Sequence, residues 1–192
     1  VPALVLASSS PRRRALLEQI GISPARTLSP DIDESPRRGE LPRDYAVRLA
    51  AEKAAAVPRE PGEVVLAGDT TVAAGRRILP PAETDDIVRQ CLMLLSGRRH
   101  RVFSAVAVID AEGRLRQRVG VTIVTFKRLT AAEVEAYVRC GEGRGKAGGY
   151  AIQGRAAAFV RFLSGSYSGV VGLPLHEASA LLAASGVVPS DG

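Results

Sequence analysis

Three arginines in a row, Arg12, Arg13 and Arg14, follow Ser10-Pro11 in the stretch LASSSPRRRALLEQIGI. Serine then proline marks a helix start, with a hydroxyl at the N-cap and a preset φ at the first helical position. Exposed N–H groups already make that end of a helix positive, so acidic residues are its usual occupants. Three cations there, directly after the strand-like run ALVLA, form a receptor for a phosphate or a carboxylate. Taken singly, Arg13 or Arg14 reads equally as a solvent-facing cation. The site is not a Walker loop, because G-x-x-x-x-G-K-[ST] is absent.

Acids supply the complementary chemistry. DIDES carries Asp31, Asp33 and Glu34 in a polar, proline-rich loop, and Asp69 ends the apolar run of VVLAGDTTV. A carboxylate at the carboxyl end of a buried strand stands where open α/β sheets place their ligands. Oxygen ligands from loops suit Mg²⁺, which takes one or two carboxylates and completes its shell with substrate phosphates. Each acid alone reads as a turn-former or cap; Asp69 has the best claim. Lys53 interrupts the helical stripe Ala46, Leu49, Ala50, Ala54 and Val57. Either its ammonium snorkels at the rim of the apolar face or it enters a cleft to meet phosphate oxygens. In GRGKAGGYAIQG the glycines allow close backbone approach to a ligand, and Lys146 can reach an anion. Gln153, expected at the end of a short strand, offers one carbonyl and one amide donor, the complement of a uracil or thymine edge.

Histidine is scarce. His100 and His176 have no partner at metal-ligand spacing, and no G-x-S-x-G elbow accompanies them, so a zinc site and a serine triad are both disfavoured. Cys91 and Cys140 stand apart and read as reduced, partly buried thiols in helices.

These groups need a scaffold, and 192 residues can bury a sizeable core. Hydrophobic residues make up 46% and charged ones 24%, the mix of a folded globular protein, and no apolar run approaches a membrane span. No signal peptide is read, and a cytoplasmic location is expected. The net charge of +6 favours an anionic partner, but aromatics are only 4%, without basic–aromatic interleaving, so nucleic acid is disfavoured. Periodicity predicts helices at SPRRRALLEQIG, RDYAVRLAAEKAAAV, AETDDIVRQCLMLLSG, TAAEVEAYVRCG and LHEASALLAASG. It predicts strands at ALVLA and EVVLAG, a Gly-Asp-Thr turn into a second arm ending at RRIL, a long hairpin from HRVFSAVAVID to LRQRVGVTIVTFKRL, and a strand at AAAFVRFLSG. SYSGVVGLP is expected to be a loop. Helices interleave with hairpin-linked strands, which predicts an α/β protein with a mixed sheet.

LASSSPRRRALLEQIGI, DIDES, RLAAEKA, GDT, LSGRRHRV, GKAGGYAIQG and GSYSGVVGLPL follow one another in order and spacing similar to those of the Maf family. These are the septum-formation inhibitor-like nucleoside triphosphate pyrophosphatases. The resemblance covers essentially the whole chain and implies one domain over residues 1–192, a mixed sheet with flanking helices, and two lobes around a deep nucleotide cleft (Maf/ITPase-like). It implies a homodimer that hydrolyses a nucleoside triphosphate to the monophosphate and pyrophosphate with Mg²⁺ or Mn²⁺. The Y-A-I-Q-G form resembles the branch acting on dTTP, UTP and modified uridine triphosphates. By the same resemblance Ser8, Ser10, Arg12 and Arg13 bind phosphates, with Arg12 also tied to specificity. Glu34, Lys53 and Asp69 form the catalytic site, Glu34 and Asp69 hold the metal, and Thr70 and Gln153 select the base.

The chain departs from the family pattern at Pro81, in ILPPAE, where a lysine is usual; Thr71 replaces a usual apolar residue. Arg76 and Arg77, just upstream, are candidates to stand in for the lysine. Two rival readings follow: a non-catalytic nucleotide sensor acting in cell division, its chemistry impaired by Pro81, and a basic RNA-binding module.

Overall fold

The computed structural model describes residues 1–189. Its elements run β1 (Leu4–Ala7), α1 (Pro11–Gln19), β2 (Arg26–Leu28), α2 (Pro42–Ala56), β3 (Val64–Ala74), β4 (Arg77–Leu79), α3 (Asp85–Leu95), β5 (Arg99–Ile109), β6 (Leu115–Phe126), α4 (Ala131–Cys140), a 3₁₀ turn (Arg155–Phe159), β7 (Val160–Ser164), α5 (Tyr167–Val171) and α6 (Leu175–Ala183). The strands form one seven-stranded sheet in the order β2-β1-β3-β5-β6-β7, with β4 paired to β3. β1 runs parallel to β2 and β3, and every other pairing is antiparallel. The expected mixed sheet with flanking helices is present.

Three apolar clusters divide the molecule. On one face of β1, β3 and β5, Leu4, Leu6, Leu66 and Val106 pack against α1 and α6. On the other face Ala67, Ala105 and Ala107 meet Ala46, Ala50 and Ala54 of α2. Alanine against alanine lets α2 lie close to the sheet, which brings its polar residues within reach of β3. The third cluster lies toward the other end of the long strands, where Val72, Val102 and Phe126 pack with Val88, Leu92 and Leu95 of α3 and Tyr137 of α4. Fully burying a leucine such as Leu92 stabilises by roughly 1.5–3 kcal/mol. Strands β3, β5 and β6 run through both regions, and the cleft opens where the first two clusters give way to the third.

Local predictions held where the signals were chemical. Thr84 caps α3 through Ile87 N, and Thr130 with Glu133 forms the capping box of α4. Gly141 closes α4 at φ 75°. Both cysteines are free and lie on helices.

Three secondary-structure expectations fail, and one strand was not anticipated. Gly68-Asp69-Thr70 is no turn: β3 continues through it, because Gly68 to Ala73 pair without a break with Val106 to Arg101 of β5. Asp69 therefore sits inside a strand and does not end one. The first half of AAAFVRFLSG is a 3₁₀ turn, and Gln153 lies in the turn before it, not on a strand. SYSGVVG contains the short helix α5, capped by Ser166. The short edge strand β2 was not foreseen; it is fixed by pairing with β1 more than by its own pattern.

Candidate active site

Alternation along β3 sets the site. Asp69 and Thr71 point toward α2, and Thr70 points to the opposite face. Lys53, on the buried face of α2, is only 7% exposed, so it does not snorkel. Its Nζ donates to Asp69 Oδ1 at 3.0 Å and to Glu34 Oε2 at 3.0 Å. Thr71 Oγ1 donates to Asp69 Oδ2 at 2.7 Å. Both Asp69 oxygens are thus held, and each keeps a further lone pair. The loop that brings Glu34 is braced by α2: the Tyr45 hydroxyl donates to the Glu34 carbonyl at 2.7 Å, and Arg48 donates to Glu40 and to the Ser35 carbonyl. Burial first, then the charges of Asp69 and Glu34, push the Tyr45 phenol up to about 12. Asp31 and Asp33 are exposed on the same loop and do not line the cleft.

Across the cleft the three arginines part company. Arg13 lies over Gly68, where a Cβ would stand 3.2 Å from its Nε. Its Nε donates to the Gly172 carbonyl at 2.7 Å, and its terminal nitrogens donate to Ser8 Oγ at 3.2 Å and Thr70 Oγ1 at 3.4 Å. Arg12 Nε donates to the Val171 carbonyl at 3.2 Å. Arg14 turns outward to pair with Glu18 at 2.8 Å, both substantially exposed. Burial lowers the pKa of both cleft arginines; for Arg13, Asp69 pulls the other way and Arg12 adds to the lowering. Ser10 occupies the N-cap position but makes no cap bond, contrary to expectation. Its backbone N–H donates to Ser8 Oγ at 3.1 Å, and its own Oγ is buried without a partner among the described residues. Ser8 is buried behind the cleft wall and holds Arg13, while Ser9 and Ser10 line the surface.

At the other end, residues 145–148 are zipped onto residues 79–82. Ala82 N donates to the Lys146 carbonyl at 3.1 Å, Gly148 N to the Leu79 carbonyl at 3.3 Å, and Pro81 bridges Ala147. Gly148, at φ 68°, lies so close to Val72 that a Cβ would come within 2.7 Å of its Cγ1. Lys146, Pro81, Tyr150 and Gln153 all line the cleft. Burial and then the nearby Arg12 charge lower the Lys146 ammonium pKa. The Gln153 side chain is exposed and makes no protein hydrogen bond among the described residues. Arg76 and Arg77 do not line the cleft; Arg77 lies beside Cys91, so neither stands in at Pro81. His100 and His176 are also outside it: His100 bonds Tyr150 from behind, and His176 is exposed on α6.

The cavity so enclosed measures about 220 Å³, several times a water's share of roughly 30 Å³. Cations face two carboxylates across it. No group of three or more His, Cys, Asp or Glu residues able to hold a metal occurs among the described residues. Glu34 and Asp69, joined through Lys53, instead fit a hard cation whose shell is completed by ligand oxygens and water.

The sequence model of the family described as "Maf-like protein" matches residues 3–185. The chain belongs to the Maf family. Within it, a "dTTP/UTP pyrophosphatase" of Sphingopyxis alaskensis is 65% identical over 97% of this chain and 98% of that protein. Proteins of the same description from Novosphingobium aromaticivorans and Caulobacter vibrioides are 64% and 56% identical, covering 97% and 98% of this chain and 93% and 98% of theirs. The structure titled nucleoside-triphosphatase / dITP/XTP pyrophosphatase from Mycobacterium abscessus aligns at TM-score 0.41 and 22% identity, over 67% of this chain and 76% of that one.

For this Maf chain, sequence reasoning located Arg12, Arg13, Glu34, Lys53, Asp69, Thr70, Lys146 and Gln153, and the fold gathers all of them at one cleft. It missed the Val171 and Gly172 carbonyls, which have no side-chain signature, and the Thr71 bond to Asp69. Period-two alternation along a strand read through 69–71 would have found the latter.

Proposed function

We propose that this Maf-family protein hydrolyses dTTP and UTP, and modified uridine triphosphates, to the monophosphate and pyrophosphate. The carrying observation is a single cleft in which Arg12 and Arg13 face the Lys53-bridged pair Asp69 and Glu34. The relatives named as dTTP/UTP pyrophosphatases support the choice of substrate. Arg12, Arg13, Lys146 and the unpartnered Ser10 hydroxyl bind the phosphate chain, and Gln153 meets the base, while the Thr70 hydroxyl, engaged with Arg13 and the Gly172 carbonyl, supports the phosphate arginine.

In the reaction a water oxygen bonds to the α-phosphorus while the α–β bridging P–O bond breaks and pyrophosphate leaves. Asp69 takes the water proton through a lone pair that neither Lys53 nor Thr71 occupies. Lys53 and the arginines neutralise charge as it develops on the phosphoryl oxygens. Glu34 and Asp69 would hold a divalent cation, Mg²⁺ or Mn²⁺, which polarises the phosphate oxygens when bound. Thr71 fixes the carboxylate plane so that one oxygen faces the water.

No described helix is long and apolar enough to cross a membrane. The proposal includes a cytoplasmic location and a homodimer, the latter read by light scattering on the purified protein. Pyrophosphate release from dTTP, UTP, CTP, GTP and dATP, with Mg²⁺, Mn²⁺ or a chelator, tests the activity. Release fastest from dTTP and UTP, and abolished by chelator, is expected. Tight dTTP binding with no release would favour the sensor instead. Steeply salt-dependent oligonucleotide binding that competes with dTTP would favour an RNA-binding module.

A further inference from the structure

Both cleft arginines are gripped by the same short element. The last carbonyls of a helix have no partner within it; α5 ends at Val171 with Gly172 as its cap, and both carbonyls are directed at α1. Arg12 Nε takes the first at 3.2 Å and Arg13 Nε takes the second at 2.7 Å. Each guanidinium is thereby split, with the Nε edge tied to backbone and the terminal nitrogens left to other partners. Arg13 spends terminal donors on Ser8 and Thr70, so it is anchored three ways. Arg12 has no hydrogen bond among the described residues except the one to Val171, and it lines the cleft with its terminal nitrogens unpaired. Its aim therefore depends on where α5 ends.

Serine hydroxyls outside the cleft set that end. Ser166 Oγ accepts from Gly169 N at 2.9 Å and caps the start of α5. Ser168 Oγ accepts from Leu175 N at 3.0 Å and pins the start of α6 against α5; the two hydroxyls are 3.1 Å apart. The Ser168 carbonyl accepts from Gly172 N and Leu173 N, which closes the turn that presents Val171 and Gly172. Thr122 of β6 holds Ser166 N at 3.0 Å, and Ser104 of β5 donates to the Gly169 carbonyl at 2.7 Å. The sheet thus fixes α5, and α5 fixes the arginines.

We propose that α5 is the positioning device of the anion site, and that Ser166 and Ser168 are positioning residues that act on a polyphosphate chain through Val171 and Arg12. This rests on the reading of the cleft as a triphosphate site. The test is calorimetric titration of the full-length protein with inorganic tripolyphosphate, which reads anion binding without hydrolysis. The Ser166→Ala/Ser168→Ala pair is expected to weaken binding at least about tenfold, a loss that corresponds to roughly 1.4 kcal/mol. In an Arg12→Ala background the same pair should cost no more than about threefold, because the residue it acts through is gone. Arg12→Lys keeps the charge but has a single nitrogen in place of an Nε and a separate terminal fork pointing different ways, so it cannot stay on the Val171 carbonyl and still present a planar fork to the anion, and it should lose nearly as much as Arg12→Ala.

Serine and Arg12 losses that simply multiply would overturn the proposal in favour of a general structural role. Wild-type affinity in Arg12→Lys would overturn it too, since charge alone would then suffice. If the unaltered protein binds no tripolyphosphate, the anion-site reading itself falls, and the positioning role falls with it.

Discussion

At the phosphate end of the cleft, polar groups are held by other polar groups. Lys53 joins two carboxylates, Thr71 holds the free oxygen of one, and Arg13 is tied to two side chains and a carbonyl. At the base end, support comes from an apolar cluster. Tyr150 packs edge-on against Phe126 at 4.9 Å and His100 at 5.5 Å, and Phe126 continues the cluster to Phe159. The buried polar ties there are the Tyr150 hydroxyl to His100 Nε2 at 2.6 Å and Ala151 N to the Tyr137 hydroxyl at 3.0 Å, while His100 Nδ1 is buried without a partner among the described residues. One end sets charges at fixed distances; the other gives the Gly-rich segment a firm apolar floor and leaves Gln153 free at the surface. Chemistry and selectivity should therefore fail separately.

The largest expected break is at Asp69. Asp69→Asn keeps the shape but loses the base, and pyrophosphate release should fall on the order of 10²–10⁴-fold while the fold persists. Stopped assays with dTTP check this, and near-normal turnover would take Asp69 out of the mechanism.

At the opposite end, burial holds the His100 imidazole down at about 4, so it is neutral in the folded protein at pH values where the unfolded chain takes up a proton. Protons then favour the unfolded state, and stability contributed by neutral His100 falls as pH drops from about 6.5 toward 4. The loss reaches up to about 3 kcal/mol across that window. His100→Gln keeps a partner for Tyr150 but does not titrate. Urea unfolding between pH 7 and 5 should show a steeper decline in the parent than in the variant; parallel declines would contradict the assignment.

Gln153→Glu replaces a donor–acceptor pair with acceptors only. It should weaken preference for dTTP and UTP by roughly 1–3 kcal/mol and leave tripolyphosphate affinity unchanged. Relative kcat/KM for dTTP against GTP is the readout, and an unchanged ratio would place base reading elsewhere in the cleft.

The smallest effect expected is a gain. Pro81 lines the cleft, is exposed, and donates no ladder bond to the facing Lys146–Gly148 segment. Pro81→Lys should raise kcat several-fold by adding an ammonium at the phosphates, a contribution of about 1 kcal/mol beside the existing Lys146. A folded variant with unchanged kcat would mean that Lys146 and the arginines already meet that need.

Much of this protein was legible in residue order. Helices α3 and α4 carry their caps and apolar spacing in the local sequence, and the β5–β6 hairpin announces itself by two apolar runs around AEGR. The charge conflict at the start of α1 and the lysine inside an apolar stripe were equally local, and both led to the cleft. What failed was context. GDT has the composition of a turn, yet unbroken pairing with β5 keeps it extended. SYSGVVG has the composition of a loop, yet Ser166 and the sheet beneath it wind it into α5. The sequence by itself determined which side chains carry charge and which segments are amphipathic, because those properties depend on residue type and on neighbours three or four positions away. Only the tertiary structure decided that Arg14 faces solvent while Arg12 and Arg13 face Asp69. It alone decided that backbone carbonyls some 160 residues downstream hold them, since a carbonyl is common to every residue and only folding gives it an address.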